Sequence, residues 1–267
     1  MPAAVFNRTS ALHAIHHVAG RLSAMVASTQ DTGIRVPGSP QWTVAEAYAH
    51  VATVAPRYSQ AARLEGEWVD DASKLAALNE RQLAATASRD IAATRDLLHA
   101  SLAELGLLIN GFGGRQPVFT FHGGERISAD VALGILLGEV VVHGYDIARA
   151  LGRPWPIDPG HVELIMQGLT PILPGWLGAR AQGHTRNYEF RLRGQGTHRF
   201  AFESGRLRMN PAGPFKPDAI ISAAPTAFLF IVYKRISQWN AIVTGRFVAW
   251  GPKPWKALSF AGLFHNP

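Results

Sequence analysis

The first half of the chain carries its apolar residues at helical spacing. Residues 9–28, TSALHAIHHVAGRLSAMVAS, read as one amphipathic helix that Thr9 or Ser10 can cap. A turn-rich stretch follows, from Asp31-Thr32-Gly33 to Pro37-Gly38-Ser39-Pro40. Thr43-Val44-Ala45-Glu46 then fits the S/T-x-x-E capping box that opens a second helix, with Tyr48, His50 and Val51 inside it and Pro56 expected to bend or end it. The Ala/Leu-rich stretch 72–109 has few breakers and predicts one long third helix, stopped by Gly111, Gly113 and Gly114. Ser128 is placed to cap a fourth, 129–151, closed by Gly152 and Pro154. Four such helices with short-to-medium connections predict an antiparallel bundle.

The second half changes period. A helix is expected over 161–173, after which 188–193, 199–203 and 206–209 alternate as strands do, with a turn at Ser204-Gly205 and a fourth strand at 218–222. A helical run begins at Pro225 and ends near Tyr233, with a further segment after Ser237. The fold class is therefore α+β, a helical bundle followed by a smaller α+β domain.

Composition narrows the function. The 267 residues are 47% hydrophobic and 17% charged, a globular balance, and no run approaches the roughly 18 uninterrupted apolar residues of a membrane span. The start lacks the charged and apolar regions of a secretory signal, so a cytoplasmic location is expected. With no cysteine, there is no disulfide, no thiolate metal site and no cysteine nucleophile; any thiol chemistry needs a thiol from outside. Residues 1–155 carry 13 Lys/Arg against 14 Asp/Glu, and residues 156–267 carry 13 against 5. That step, near Pro154-Trp155-Pro156, predicts domains at 1–155 and 156–267 and an anionic small-molecule partner for the basic half. No nucleic-acid-binding motif is present.

Glu139 and His143, four residues apart, share one face of the fourth helix among nearly all-apolar neighbours. A carboxylate and an imidazole buried there need partners. A metal ion is one solution and a plain Glu–His hydrogen bond is the other; a third ligand would separate them, and His50 is the best candidate. Asp146 can join the same stripe, or form a surface ion pair with Arg149 or Arg153. His13, His16 and His17 lie on the first helix, and His122 and His184 in loops expected to be solvated. Gly111-Phe-Gly-Gly has only the glycine content of a phosphate loop, and Trp239, Trp250 and Trp255 suit a core or an interface.

Two segments carry a resemblance. Pro40-Gln41-Trp42-Thr43-Val44 through His50 resembles the P-x-W-T-V-x-x-x-x-x-H segment of the mycothiol-dependent maleylpyruvate isomerase family, a branch of the DinB-like four-helix bundles. Glu139-Val-Val-Val-His143-Gly-Tyr-Asp146-Ile147-Ala148-Arg149-Ala150-Leu151-Gly152 is similar to that family's second signature, E-x-x-x-H-x-x-D-I-A-x-A-x-G. The resemblance implies that His50, Glu139 and His143 hold a divalent metal, commonly zinc, with Asp146 orienting a ligand from behind. It also implies mycothiol as cosubstrate and a C-terminal arginine for the substrate carboxylate, with Arg235 and Arg246 as the candidates. Residues 217–228 resemble a stretch of sterol carrier protein type 2-like domains, with Pro217 in place of the usual alanine. The implied activity is isomerisation of, or thiol transfer to, a small electrophilic carboxylate. The alternative is a non-enzymatic binding protein for an apolar or amphipathic ligand, with a structural or vestigial metal site.

Overall fold

The computed structural model describes residues 6–85 and 89–265. The chain forms two compact units, Met1–Val69 with Lys74–Phe121 and Arg126–Gly168 in the first, and Asp70–Ser73 with His122–Glu125 and Leu169–Pro267 in the second. The division falls between Gly168 and Leu169, in the last turn of the helix that follows the charge step.

The first unit is built on four long helices. Helix α1 (Arg8–Ala27) starts at Asn7, whose side chain accepts from the Ser10 amide. Strands β1 (Arg35–Val36) and β2 (Ser39–Thr43) pair antiparallel around Pro37-Gly38 and lead into α2 (Val44–Ala62). The capping box at Thr43 and Glu46 is complete in both directions. Pro56 does not end α2, which continues to Ala62. A proline removes one helical hydrogen bond, and burial of Tyr48, Val51, Ala55 and Tyr58 along the helix holds it together regardless.

The expected single helix over 72–109 is two, α3 (Leu75–Ala85) and α4 (Ile91–Gly111). Asp90 accepts from the Ala93 amide at 2.7 Å and begins α4 afresh, without any glycine or proline between them. Short strands β3 (Val118–Thr120) and β4 (Arg126–Ser128) form a second antiparallel ribbon before α5 (Ala129–Ala150). The Ser128 hydroxyl does not cap α5 but donates to the Asp130 carboxylate. Gly152, at φ +62°, closes the helix, and α6 (Pro159–Leu169) follows.

Contacts at the helix ends fix their directions. Arg153, just past α5, donates to the Met25 carbonyl and to Ser28 at the end of α1, so α1 and α5 are parallel. Arg63, just past α2, pairs with Glu104 in the second half of α4, so these two are parallel as well. Arg8 opens α1 and reaches the Gly113 carbonyl beyond α4, which makes that pair antiparallel. The bundle thus runs up, down, down, up rather than strictly alternating. The reason is the connection between α2 and α4, which contains α3 and joins opposite ends of the bundle.

Helix α5 is long and apolar enough to cross a membrane by length and composition, which no count of uninterrupted apolar residues revealed. Within the bundle 83% of its most apolar window is buried. It is the core helix, and both resemblance-implied ligands of the second signature lie on it.

The second unit is a five-stranded sheet of β5 (Arg186–Leu192), β6 (Thr197–Glu203), β7 (Arg206–Met209), β8 (Ala219–Ala223) and β9 (Phe247–Trp250), in the order β7-β6-β5-β8-β9. Only β5 and β8 pair in parallel. One face carries Tyr188, Phe190 and Phe200 against α7 (Pro225–Val232) and the 3-10 segment Pro254–Leu263. The Phe260 ring lies 4.5 Å from Phe190 and 4.8 Å from Phe200, and Phe228 lies 4.9 Å from Phe190. Burying each such ring contributes about 1.5–3 kcal/mol. The opposite face holds Glu189, buried between Arg191 at 2.8 Å and Arg199 at 3.2 Å. A short helix α8 (Gln238–Val243) precedes β9.

Candidate metal centre

Three elements of the first unit converge. The capping box starts α2 so that His50 lies within its first two turns, facing α5. Helix α5 offers Glu139 and His143 one turn apart. The Nε2 atoms of His143 and His50 lie 3.4 and 3.7 Å from Glu139 Oε2, and one ligand atom of each residue falls within 4.8 Å of the others. Four ligands at about 2.0–2.1 Å around a tetrahedral ion sit roughly 3.3 Å apart. The spacing of the three side chains therefore fits a single divalent ion with a position left over. His50 is fully buried, whereas Glu139 shows 26% of its side chain and His143 12%.

Electrostatics keep His50 and Glu139 in the forms that bind cations. Burial pushes the His50 imidazole down to about 4, so it is neutral at physiological pH. Burial alone would raise the Glu139 carboxyl, but His143 and then His50 beside it more than offset this and hold it well below the usual carboxylate range. Nδ1 of His50 and Nδ1 of His143 are buried with no hydrogen-bond partner among the described residues.

Trp42, from β2, lies tilted beside the two imidazoles, its ring 4.6 Å from His50 and 5.9 Å from His143. Its indole N–H donates to Glu80 of α3 at 2.8 Å. Arg57, seven residues after His50 on the same helix, feels the Glu139 charge, and its guanidinium donates to Asn79 of α3 at 2.8 Å. Sequence reasoning passed over Arg57. The spacing of two helical turns from His50 was the available signal.

Asp146 is fully buried, which removes the alternative of a surface ion pair with Arg149 or Arg153. Its carboxylate packs on Gly38 in the β1–β2 turn, where a Cβ would meet it at 2.3 Å. His13, His16 and His17 are exposed on α1. His122 is buried rather than solvated, its carbonyl accepting from the Trp176 indole at 2.9 Å, and half-buried His184 stacks on Tyr188 with Nε2 3.0 Å from the phenol oxygen. In the second unit, Arg235 is buried with Nη1 on the Tyr233 carbonyl at 2.7 Å. Arg246 is exposed, braced by Thr244 at 3.0 Å and Asn240 at 3.3 Å.

The facing helices of this bundle gather two imidazoles and one carboxylate, a group that could hold a metal ion. Residues 12–148, just over half of the chain, match the family model described as the mycothiol maleylpyruvate isomerase N-terminal domain. The chain belongs to the mycothiol maleylpyruvate isomerase family. Among solved structures, the crystal structure of the mycothiol-dependent maleylpyruvate isomerase is similar over 93% of this chain and 96% of that one, with a TM-score of 0.57 at 16% identity. A point mutant of that enzyme gives 0.56 at 15% identity over the same shares. These likenesses show the fold. A UbiJ-SCP2 ubiquinone synthesis protein covers 41% of the chain at a TM-score of only 0.30, too slight to identify the second unit with a sterol carrier domain. No curated protein matches.

Proposed function

We propose that this chain is a metal-dependent enzyme that uses a low-molecular-weight thiol, mycothiol, to isomerise a small unsaturated carboxylate of the maleylpyruvate kind. The observation that carries it is the convergence of His50, Glu139 and His143 within 4.8 Å in a member of this family. His50, Glu139 and His143 would hold a divalent ion, zinc by this donor set, which would supply Lewis acidity to lower the pKa of a thiol; a thiolate that adds to a cis double bond and then leaves would let that bond turn to trans.

The protein's own groups do the rest. Glu139 supplies the negative charge, and His50 and His143 supply nitrogen lone pairs. Trp42 packs the two rings into one orientation. Asp146, through Gly38, holds the hairpin that carries Trp42 against this end of α5. Arg57, fixed by Asn79, places a cation beside the carboxylate ligand. Of the two C-terminal candidates, Arg246 presents a braced and exposed guanidinium suited to a substrate or thiol carboxylate, and Arg235 serves by holding the Tyr233 carbonyl.

Elemental analysis of untagged protein beside His143→Ala tests the site, with circular dichroism verifying that the variant is folded. About one metal per chain, lost in the variant along with mycothiol-dependent isomerisation of maleylpyruvate, is the expected result. A wild type that takes up no metal after incubation with zinc overturns the proposal. Arg246→Ala is expected to raise KM for the carboxylate substrate; an unchanged KM removes Arg246 from the reading.

A further inference from the structure

The exposed large apolar side chains of the second unit gather in one place. Trp239 and Val243 on α8, Val248 and Trp250 on β9, and Trp255 and Leu258 just beyond are all exposed within twenty residues. Most of them line or flank a groove of about 390 Å³ along β9, the edge strand of the sheet. Trp239 is 64% exposed, Trp255 60% and Val243 85%, an outlay of apolar surface that a freely solvated face does not carry.

The charges around this patch are mostly positive, with Asp218 on Lys253 and buried Glu189 on Arg191 as the carboxylates among them. Residues 219–267 contain no aspartate or glutamate; Lys253 is paired with Asp218 at 2.8 Å and Arg235 is buried, which leaves exposed Lys234 and half-buried Lys256 as the lysines to face anionic groups. Arg191, on the neighbouring strand β5, sits with its guanidinium 5.5 Å over the Trp250 ring. A second copy of the chain would bring one such basic rim against another, and like charges across an interface oppose association. A specific protein partner is ordinarily met by charges of both signs that set its orientation. A lipid headgroup layer asks for neither. Indole rings settle at the boundary of headgroups and acyl chains, with lysines and arginines reaching the anionic headgroups beside them.

From this pairing of an exposed tryptophan–aliphatic groove with a net-basic rim, we propose that the β9 edge of the second unit is a peripheral docking surface for an anionic bilayer. The surface is independent of the metal centre, and the inference does not rest on the isomerase reading. It concerns the face of the bilayer only. The buried helix α5 has no part in it.

Flotation of the full-length protein with vesicles of phosphatidylcholine alone, and of phosphatidylcholine with phosphatidylglycerol, provides the test. The protein should float with the anionic vesicles, stay behind with the neutral ones, and lose binding as salt rises. Trp239→Ala with Trp255→Ala, both exposed and outside the core, should weaken partitioning about tenfold or more. Lys256→Ala should weaken it about fivefold, the worth of one cation near such a surface. Leu107→Ala, exposed on α4 of the first unit, should leave it unchanged. Absence of binding to the anionic vesicles overturns the proposal. So does binding that survives loss of both tryptophans, which would mark a diffuse polyanion effect. Concentration-dependent dimerisation abolished by the tryptophan pair would equally overturn it, and assign the groove to a second copy.

Discussion

Helices α5 and α6 cross with their backbones touching, and that contact sets opposite signs for one substitution made at two places. A Cβ added at Gly134 would sit 2.4 Å from the Leu164 carbonyl oxygen and 3.0 Å from the Gly168 Cα. Both are backbone atoms and neither can rotate away, so the helices must part by about an ångström to restore normal contact. Overpacking of this kind costs about 1–3 kcal/mol, and here the upper half applies because backbone rather than side chain must move. Alanine recovers about 0.8–1.0 kcal/mol of helix propensity, leaving Gly134→Ala destabilised by about 1–2 kcal/mol. Gly20 is its counterpart, inside α1 with nothing within 4 Å of the added Cβ. Gly20→Ala keeps the propensity gain and should stabilise by about 0.5–1 kcal/mol. Both sites belong to the first unit, so urea unfolding followed by circular dichroism compares them on the same transition. With a slope of about 2 kcal/mol per molar, the midpoints should move down by roughly 0.5–1 M and up by roughly 0.3–0.5 M. A Gly134→Ala midpoint at or above the wild type would refute backbone contact between these helices. Adding Gly168→Ala to Gly134→Ala should cost less than it does alone, since the helices have already separated.

Three further outcomes follow from buried polar contacts and from the site. Ser23 accepts from the Tyr48 hydroxyl at 2.8 Å and lies 3.0 Å from His99 Nε2 inside the bundle. Ser23→Ala strands that hydroxyl and should cost about 1–3 kcal/mol in urea unfolding, more than Tyr48→Phe, which leaves Ser23 its histidine; the reverse order would show that the network is not the stabilising contact. Thr43→Ala removes the cap of α2 and should cost about 1 kcal/mol, with Thr43→Ser nearly neutral, and equal losses in both would point to the methyl group instead. Zinc in thousandfold excess over Kd should stabilise the metal-free wild type by about 4 kcal/mol in a thermal melt, and should do nothing for His50→Ala.

The parts of this molecule that a sequence discloses are those with local causes. The Thr43–Glu46 box places α2 and therefore His50, and the four-residue spacing of Glu139 and His143 puts both on one face of α5. Strands β5 to β7 follow from alternation and the Ser204-Gly205 turn. The break between α3 and α4 was hidden because its start signal, Asp90, lies in a run rich in alanine and leucine with no glycine or proline. The two small ribbons escaped notice because strands of two to five residues show no periodicity. Helix direction depends on which connection crosses the bundle, a matter of length and packing rather than pattern. Arg57 and Asn79 matter only through what folding brings beside them. The surroundings of His122 are of the same kind, because a loop residue becomes buried only when a distant tryptophan packs on it.

The crossover between α2 and α4 has a consequence for how such a protein diversifies. Because those two helices are parallel, the connection between them is long and lies outside the ring of four. Yet its helix α3 supplies Glu80 to the indole beside the imidazoles and Asn79 to the guanidinium beside the carboxylate. The ligands themselves sit on the ring and are tied to its packing. Selection therefore has a segment whose length and composition can change without disturbing the bundle, and whose changes are felt at the rim of the site. Substrate preference can drift there while the means of holding an ion stays put.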